Sequence, residues 1–538
     1  MRNSLSTVKI TTRYLLLSLL LIVIATSLYV RIRLICTPLE RDEGEYAYIA
    51  QLILKGMRPY THAYTMKLPG AAIVYALFMS IFGQNISSIR IGLILVNAAC
   101  TGLLYLLGRR LFSTETAILA AVFYSLLSLS QSVMGIFAHA THFIVLFSLS
   151  GFIILRHGLV KRQAQTIFIG GICFGISFLM KQHAIVLIPF ALLLQIWPQR
   201  KDNKILLLRD CFIFLIGSTV PYISVTLWLY NIGVFGNFWF WTVKYAIEYA
   251  NGLSIAEGFN EFVSQITTII KPNLLVWLLA TAGIIVICRE RKFRDERLFL
   301  IGYLAISFIM ICPGLYFRPH YFVLLLPPIA LLAAFATTSA IQTLARTVQP
   351  KWATATLILF LIITPSAYYF ILENDYNFNF TPLEVSRGIY GTNPFPEAME
   401  IASYIRKQTT EKDRIAILGS EPEILFYANR LSATGHIYMY GLMEEHKYAG
   451  EMQRQLINDI ESTAPTFIVV VHNSTSWLLR PNSLNKVLDW GDSYIPLRYD
   501  EVGIVDIFGD KPTRYLWGEE MTGYEPESES FVSIFRRR

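Results

Sequence analysis

The chain of 538 residues is 54% hydrophobic and only 16% charged, with a mean hydropathy of +0.47. A soluble globular protein carries about 25% charged residues, so this composition excludes one and describes a chain that crosses a membrane many times. The net charge of +8 does not indicate nucleic acid, because the basic residues fall in short clusters between apolar runs, the positive-inside pattern of membrane loops.

Arg2, Lys9 and Arg13 precede an apolar run from Tyr14 to Val30, which Arg31 and Arg33 close without a small-residue cleavage site. The run reads as a retained first span, roughly 14–33, with the N-terminus in the cytoplasm. Arg31 and Arg33 sit at its outer end against the charge rule and are expected in the headgroup layer or on an anion. The short segment 69–83 reads as a juxtamembrane or re-entrant helix, which puts Arg109 and Arg110 inside at the end of a second span, 86–107. Spans at 114–133, 140–156, 165–180, 184–197, 210–230, 274–288, 298–312, 321–337 and 353–371 bring the total to eleven. Their inner loops carry Arg156, Lys161 and Arg162; Arg200, Lys201, Lys204 and Arg209; Arg289, Arg291, Lys292, Arg294 and Arg297; and Arg346 with Lys351. The six cysteines show neither metal spacing nor a framework of pairs. A bridge between Cys36 and Cys312, on one face, is the alternative to the expected free thiols.

The outer loops are then 34–85, 134–139, 181–183, 231–273 and 313–320. With their flanking residues they place His139 and His142, Lys181 and His183, Lys244 and Glu248, and Arg318 and His320 at one face. The aromatic run Phe235, Phe238, Trp239, Phe240, Trp241, Tyr245 and Tyr249 is expected mostly as an interfacial belt. After Tyr369 charges return to ordinary density. Helices over Glu397–Gln408, Pro422–Tyr427 and Tyr448–Ser462 alternate with strands over Arg414–Leu418 and Thr466–His472, which predicts an α/β layer with some parallel sheet. Gly419-Ser420-Glu421 reads as a strand-to-helix turn, with Glu421 a surface cap. The expected fold class is a polytopic α-helical membrane protein, residues 1–371, followed by an extracytoplasmic α/β domain, 372–538.

The richest stretch is 34–85. It carries Glu40, Arg41, Asp42, Glu43 and Glu45, then Tyr46, Tyr48, Arg58, His62 and Lys67. Ionisable residues at a membrane surface are costly and mark function by default. Lysine is a compact cation for phosphate, and a carboxylate takes the proton of an acceptor hydroxyl. A lipid-phosphate sugar sets its phosphate at that same height. Plainer roles stand beside these. Asp42 would cap a helix from Glu43 to Leu54, Lys67 would snorkel, Lys181 would mark the end of a span, and His320 would hydrogen-bond within the bundle. His139 and His142, three apart, have metal-ligand spacing, but with no neighbouring acid or cysteine in sequence they read as ordinary polar contacts.

Asp42-Glu43-x-x-Tyr46-Ala47, followed by Lys67-Leu68-Pro69, resembles the first outer loop of the C-type glycosyltransferase superfamily (GT-C). The nearer likeness is to the bacterial branch related to protein O-mannosyltransferases and the lipid A aminoarabinose transferase, whose pattern is an Asp-Glu pair and a later Lys-Pro-Pro. Gly-Arg-Arg-Leu-Phe at 108–112, Lys181-Gln182, and Arg318-Pro319-His320-Tyr321 before Pro327-Pro328 extend it to about residue 340. Gly419-Ser420-Glu421-Pro422-Glu423 with Ser432-Ala433-Thr434-Gly435 is similar to a mannosyltransferase-like bacterial subgroup. The resemblance implies inverting transfer of a monosaccharide from a polyprenyl-phosphate-linked donor to an acceptor hydroxyl or phosphate of a protein (Ser/Thr), lipid A or a glycan, at the outer face of a bacterial cytoplasmic membrane. Asp42 would be the general base and Glu43 would position base or acceptor. Lys67 would hold the donor phosphate with Lys244 and Arg318, while Tyr46, Lys181, His320 and Tyr321 would line the donor cavity. Ala138-His139-Ala140-Thr141-His142 stands where relatives often place a second acid, so no cofactor is implied and a divalent metal stays open. A transporter or flippase of lipid-linked sugars is the rival, but such proteins show internal repeats and mid-membrane polar breaks, and here no repeat is visible and the charges gather at one face. A non-catalytic scaffold is the other, and the intact Asp42 and Lys67 speak against it.

Overall fold

The computed structural model describes residues 2–196, 204–250, 253–348 and 350–538. Arg200 and Lys201 of the predicted inner cluster lie outside the described residues, as do the side chains of Arg2, Lys9 and Lys351. The helical part opens with α1 (Arg2–Arg33), α2 (Arg41–Leu54), α3 (Gly70–Phe82), α4 (Ile86–Leu111), α5 (Thr114–Leu127), α6 (Ala140–Lys161), α7 (Ala164–Met180), α8 (Leu187–Ile196) and α9 (Lys204–Asn231). Among the described residues seven helical stretches are long and apolar enough to cross a membrane: Arg13–Arg33, Ile86–Leu111, Ala140–Lys161, Lys204–Asn231, Ile255–Arg289, Pro319–Thr347 and Trp352–Leu372. Four shorter apolar helices, Gly70–Phe82, Thr114–Leu127, Ala164–Met180 and Gln182–Ile196, accompany them.

Several of these helices differ in their bounds from the predicted spans. The predicted span 114–133 ends at Leu127, and the chain turns through a short 3-10 helix, Gln131–Val133, with Met134 in the left-handed region at φ 57°. α5 is buried on nearly every side, so it needs neither length nor a polar end. The predicted span 298–312 falls in helix Arg294–Ile311, whose first turn spends its length on Arg294, Asp295, Glu296 and Arg297. Nor is 231–273 a plain loop. Ser254 and Glu257 form a capping box that starts helix Ile255–Ile270, and a 3-10 turn at Lys271–Asn273 carries it into Leu274–Arg289.

The C-terminal part is one six-stranded sheet in the order β2-β1-β3-β6-β4-β5, built from β1 (Arg414–Leu418), β2 (Leu431–Ser432), β3 (Phe467–His472), β4 (Tyr499–Asp506), β5 (Arg514–Trp517) and β6 (Phe531–Arg537). β1 pairs in parallel with β2 and β3, and the remaining pairs are antiparallel. The unbroken apolar runs of β1 and β3 suit strands covered on both faces. Helices Ala398–Lys407, Pro422–Ala428 and Ala449–Thr463 match the expected ones within a residue or two.

α2 joins the two parts. Nearly all of it is buried, because one face meets the helices and the other the sheet region. Gly44 packs so closely on helix Pro422–Ala428 that a Cβ there would lie 2.7 Å from the Glu423 amide nitrogen. Beside it, the backbone amide of Ser432 donates to the Tyr48 hydroxyl (2.8 Å), and that of Tyr64 donates to the Gly435 carbonyl (2.7 Å).

Three expectations about individual charges are corrected by this packing. Glu40, not Asp42, caps α2, its carboxylate accepting from the Glu43 amide at 2.9 Å. Glu421 is no surface cap: it is fully buried and bonds Arg41 at 2.8 Å. Arg31 and Arg33, expected in the headgroup layer or on an anion, spend their guanidinium groups on backbone carbonyls, Arg31 on Gly135 and Ser128, Arg33 on Tyr376, Asn377 and Phe380. Among the described residues no cysteine forms a disulfide, Cys36 and Cys312 included.

Candidate active site

At the junction of bundle and sheet lies a cavity of about 530 Å³. All five predicted outer loops reach it: Asp42, Glu45, Tyr46 and Lys67 from the first, His139 from the second, Lys181 from the third, Trp241, Tyr245 and Tyr249 from the fourth, Arg318 and His320 from the fifth. The sheet region closes it with His436, Tyr438 and Tyr440.

Its centre is a carboxylate-lysine cluster. Asp42 sits in the first turn of α2. Lys67, held in place through its backbone carbonyl by the Tyr60 hydroxyl, points back at it. Lys67 Nζ is 2.8 Å from Asp42 Oδ1 and 2.5 Å from Glu45 Oε2, and lies 4.4 Å from the centre of the Tyr46 ring. The Tyr438 hydroxyl donates to the same Asp42 Oδ1 at 2.9 Å. Burial would raise the Asp42 carboxyl, but the Lys67 ammonium more than reverses this and holds it well below the ordinary carboxylate range. Asp42 is thus ionised at neutral pH. Lys67, which burial would discharge, is kept charged by Asp42 and Glu45.

Two other cations face the cavity without such partners. Lys181 lies 3.7 Å from the centre of the Tyr321 ring, and Arg318 reaches in from the turn before helix Leu326–Thr347. Among the described residues no carboxylate lies within ion-pair distance of either. Burial pushes the Lys181 ammonium down to about 7 despite the pull of Asp42. An incoming anion would find positive charge here that no acid has yet neutralised.

Not every predicted site residue is in the cavity. Glu43 is fully buried on the far side of α2, paired with Arg90 and accepting from the Ala138 amide, so it ties the second loop to the first rather than touching anything bound. Lys244 is exposed on the π-helical turn Phe240–Tyr245 and does not line the cavity. His142 is buried, with neither ring nitrogen hydrogen-bonded. His139 and His320 do come together, their rings stacked with centroids 3.8 Å apart. The acid that sequence spacing did not supply to His139 is Asp42, brought from another loop.

The residues that sequence reading missed come mostly from the sheet region. Tyr438 and Tyr440 alternate with buried Ile437 and Met439, a period-two pattern of polar aromatics that could have flagged an extended segment facing a site. Trp241, Tyr245 and Tyr249, expected as a membrane belt, instead form one wall. Glu444 accepts from the Tyr245 hydroxyl at 3.0 Å and fastens the sheet region to that wall. Burial pushes Glu444 up to about 7 from 4.5, so the docked form binds a proton that the free form releases. Docking is then strongest at low pH and weakens as pH rises through the interval between those values. Intrinsic-rate-corrected hydrogen exchange of 440–448 is expected to be faster at about pH 8 than at about pH 6, and Glu444→Gln to remove the difference.

A family model described as dolichyl-phosphate-mannose-protein mannosyltransferase matches residues 62–229. No curated protein matches the chain by sequence. Among solved structures, ArnT from Cupriavidus metallidurans bound to undecaprenyl phosphate is similar with a TM-score of 0.59 at 15% identity, over 96% of this chain and 97% of that one. The archaeal oligosaccharyltransferase AglB from Archaeoglobus fulgidus, in complex with an inhibitory peptide and a dolichol-phosphate, is similar with a TM-score of 0.52 at 14% identity, over 98% of this chain and 76% of that one. The family model covers less than half of the chain, and the likeness to these structures is one of fold. That fold is ArnT-like.

Proposed function

We propose that this chain transfers a monosaccharide from a polyprenyl-phosphate-linked donor to an acceptor hydroxyl, with inversion, at the extracytoplasmic side of a bacterial cytoplasmic membrane. Residues 1–371 hold the donor, and 372–538 cover the same cavity from the aqueous side. The observation that carries this reading is one cavity in which an ionised carboxylate, Asp42, faces two cations free of carboxylate partners, Lys181 and Arg318. The likeness to ArnT bound to undecaprenyl phosphate supports the lipid-phosphate donor.

In the transfer, the acceptor oxygen attacks the anomeric carbon while the bond from that carbon to the phosphate oxygen breaks. Asp42 takes the acceptor's proton. Polyprenyl phosphate leaves, its growing negative charge met by Lys181 and Arg318. Lys67 is already committed to Asp42 and Glu45, so it orients the base more than it grips the phosphate. Tyr438 fixes the same oxygen from above, which makes the sheet region part of the catalytic centre. The acceptor is a protein, lipid A or glycan hydroxyl.

The test is to reconstitute the protein in liposomes with labelled polyprenyl-phosphate sugars and candidate acceptors. Release of polyprenyl phosphate in step with sugar on acceptor is expected. Donor that crosses the bilayer intact, with no bond cleaved, would establish the flippase instead. Lys181→Ala removes one charge-assisted contact, and kcat/KM for donor is expected to fall about 10- to 100-fold; an unchanged value would take Lys181 out of the phosphate site.

A further inference from the structure

Arg318 ends a short connection, 312–318, that leads from helix Arg294–Ile311 to the 3-10 turn Pro319–Leu325. Three of its residues stand in the left-handed region, Gly314 at φ 76°, Leu315 at 58° and Phe317 at 42°. Glycine adopts that backbone freely, whereas a leucine or a phenylalanine meets steric resistance there and persists only where its surroundings over-determine it. Released, residues 315 and 317 would return to negative φ, and Arg318 would turn with them.

Helix Ile255–Ile270 supplies the constraint. Gly258 takes Leu315 so closely that a Cβ there would stand 2.5 Å from Leu315 Cβ. One turn further, on the same face of the helix, the ring of Phe262 meets that of buried Phe317 with centroids 5.1 Å apart. The helix can bear this load because both its ends are fixed: a capping box at Ser254 and Glu257 starts it, and the 3-10 turn Lys271–Asn273 joins it to Leu274–Arg289. Tyr316, between the two strained residues, carries the constraint to the cavity. Its ring lies 5.5 Å from Arg318 Cζ and stacks on Tyr249 of the cavity wall, centroids 5.0 Å apart.

Given the phosphate role proposed for Arg318, on which this rests, we propose that helix Ile255–Ile270 is a brace that holds Arg318 toward the donor phosphate, with Gly258 and Phe262 as its positioning residues. Neither of the two lines the cavity, so both act through the strained connection. Lys181 follows α7, elsewhere in the chain. The brace therefore bears on one of the two cations alone.

The test measures the affinity of polyprenyl phosphate for the full chain in nanodiscs, with Gly258→Ala, Phe262→Ala, Arg318→Ala and Lys181→Ala made singly and in pairs. Gly258→Ala displaces Leu315 without weakening the helix, since alanine favours a helix over glycine. Gly258→Ala and Phe262→Ala are each expected to weaken binding about three- to tenfold. In either background Arg318→Ala is expected to add less than about twofold, while Lys181→Ala keeps its full effect, which a general loss of structure would not preserve. Arg318→Ala adding its full factor in both backgrounds overturns the brace and leaves the phosphate reading standing. So does wild-type affinity in both brace variants when Arg318→Ala alone weakens binding. Loss of the Lys181→Ala effect as well overturns it too, because the helix would then support the whole cavity. Arg318→Ala that binds as wild type does removes the phosphate role itself, and the brace falls with it.

Discussion

Replacing Asp42 by asparagine is expected to lower sugar transfer about 10²- to 10⁴-fold while changing donor binding by no more than about twofold. Asparagine has the same shape and still offers an oxygen to the Tyr438 hydroxyl, so the cavity keeps its form. Lys67 keeps Glu45 as its partner at 2.5 Å and stays charged. What disappears is the one group placed to accept the acceptor's proton. Single-turnover rates with preformed enzyme-donor complex separate this loss from any change in affinity. A rate near wild type would remove Asp42 as the base, and a loss confined to donor affinity would make it a binding residue.

The second large effect concerns stability. Arg90 and Glu43 are both buried, and Arg90 also donates to the Thr37 carbonyl at 3.0 Å while Glu43 accepts from the Ala138 amide. Arg90→Leu leaves a carboxylate in the protein interior with no cation. Breaking a buried pair from one side costs about 3–5 kcal/mol, because the remaining charge is uncompensated. Arg90→Leu is therefore expected to lower the thermal unfolding temperature sharply or to abolish recovery of folded protein. Adding Glu43→Gln removes the stranded charge and keeps an acceptor for Ala138, so the double variant is expected to regain part of the loss. Glu43→Gln alone should unfold earlier than wild type yet, once folded, transfer sugar at nearly the wild-type rate. A kcat collapse in folded Glu43→Gln would return that residue to the catalytic set.

Glu43 also shows where a sequence stops informing. It adjoins Asp42 in every linear pattern, but on a helix neighbouring residues point about 100° apart, so one side chain enters the cavity and the other turns into the bundle. Asp42 and Lys67 were legible because they lie 25 residues apart on one short loop and have complementary chemistry. Tyr438, 396 residues from Asp42, and His320, on the fifth loop, meet it only through the tertiary fold. Apolar runs and basic clusters revealed the helical bundle, yet α5 is short because burial by protein substitutes for a bilayer-length span. In the C-terminal part β1 and β3 were readable as apolar runs. β4, β5 and β6 carry exposed or half-buried residues such as Asp500, Glu501, Arg514 and Arg537, and their strand character comes from pairing rather than composition. Lys244 looked like a phosphate ligand by charge and loop, but the π-helical turn directs it to solvent.

The most direct measurement is the affinity of unlabelled polyprenyl phosphate, the leaving group, for protein in nanodiscs. Wild type and the Lys244→Ala variant are expected to bind it alike. The Lys181→Ala/Arg318→Ala double variant is expected to bind it at least about tenfold more weakly, since two charge-assisted contacts are gone. Equal affinity across all three proteins, or a loss confined to Lys244→Ala, would contradict a phosphate site built on Lys181 and Arg318 opposite Asp42.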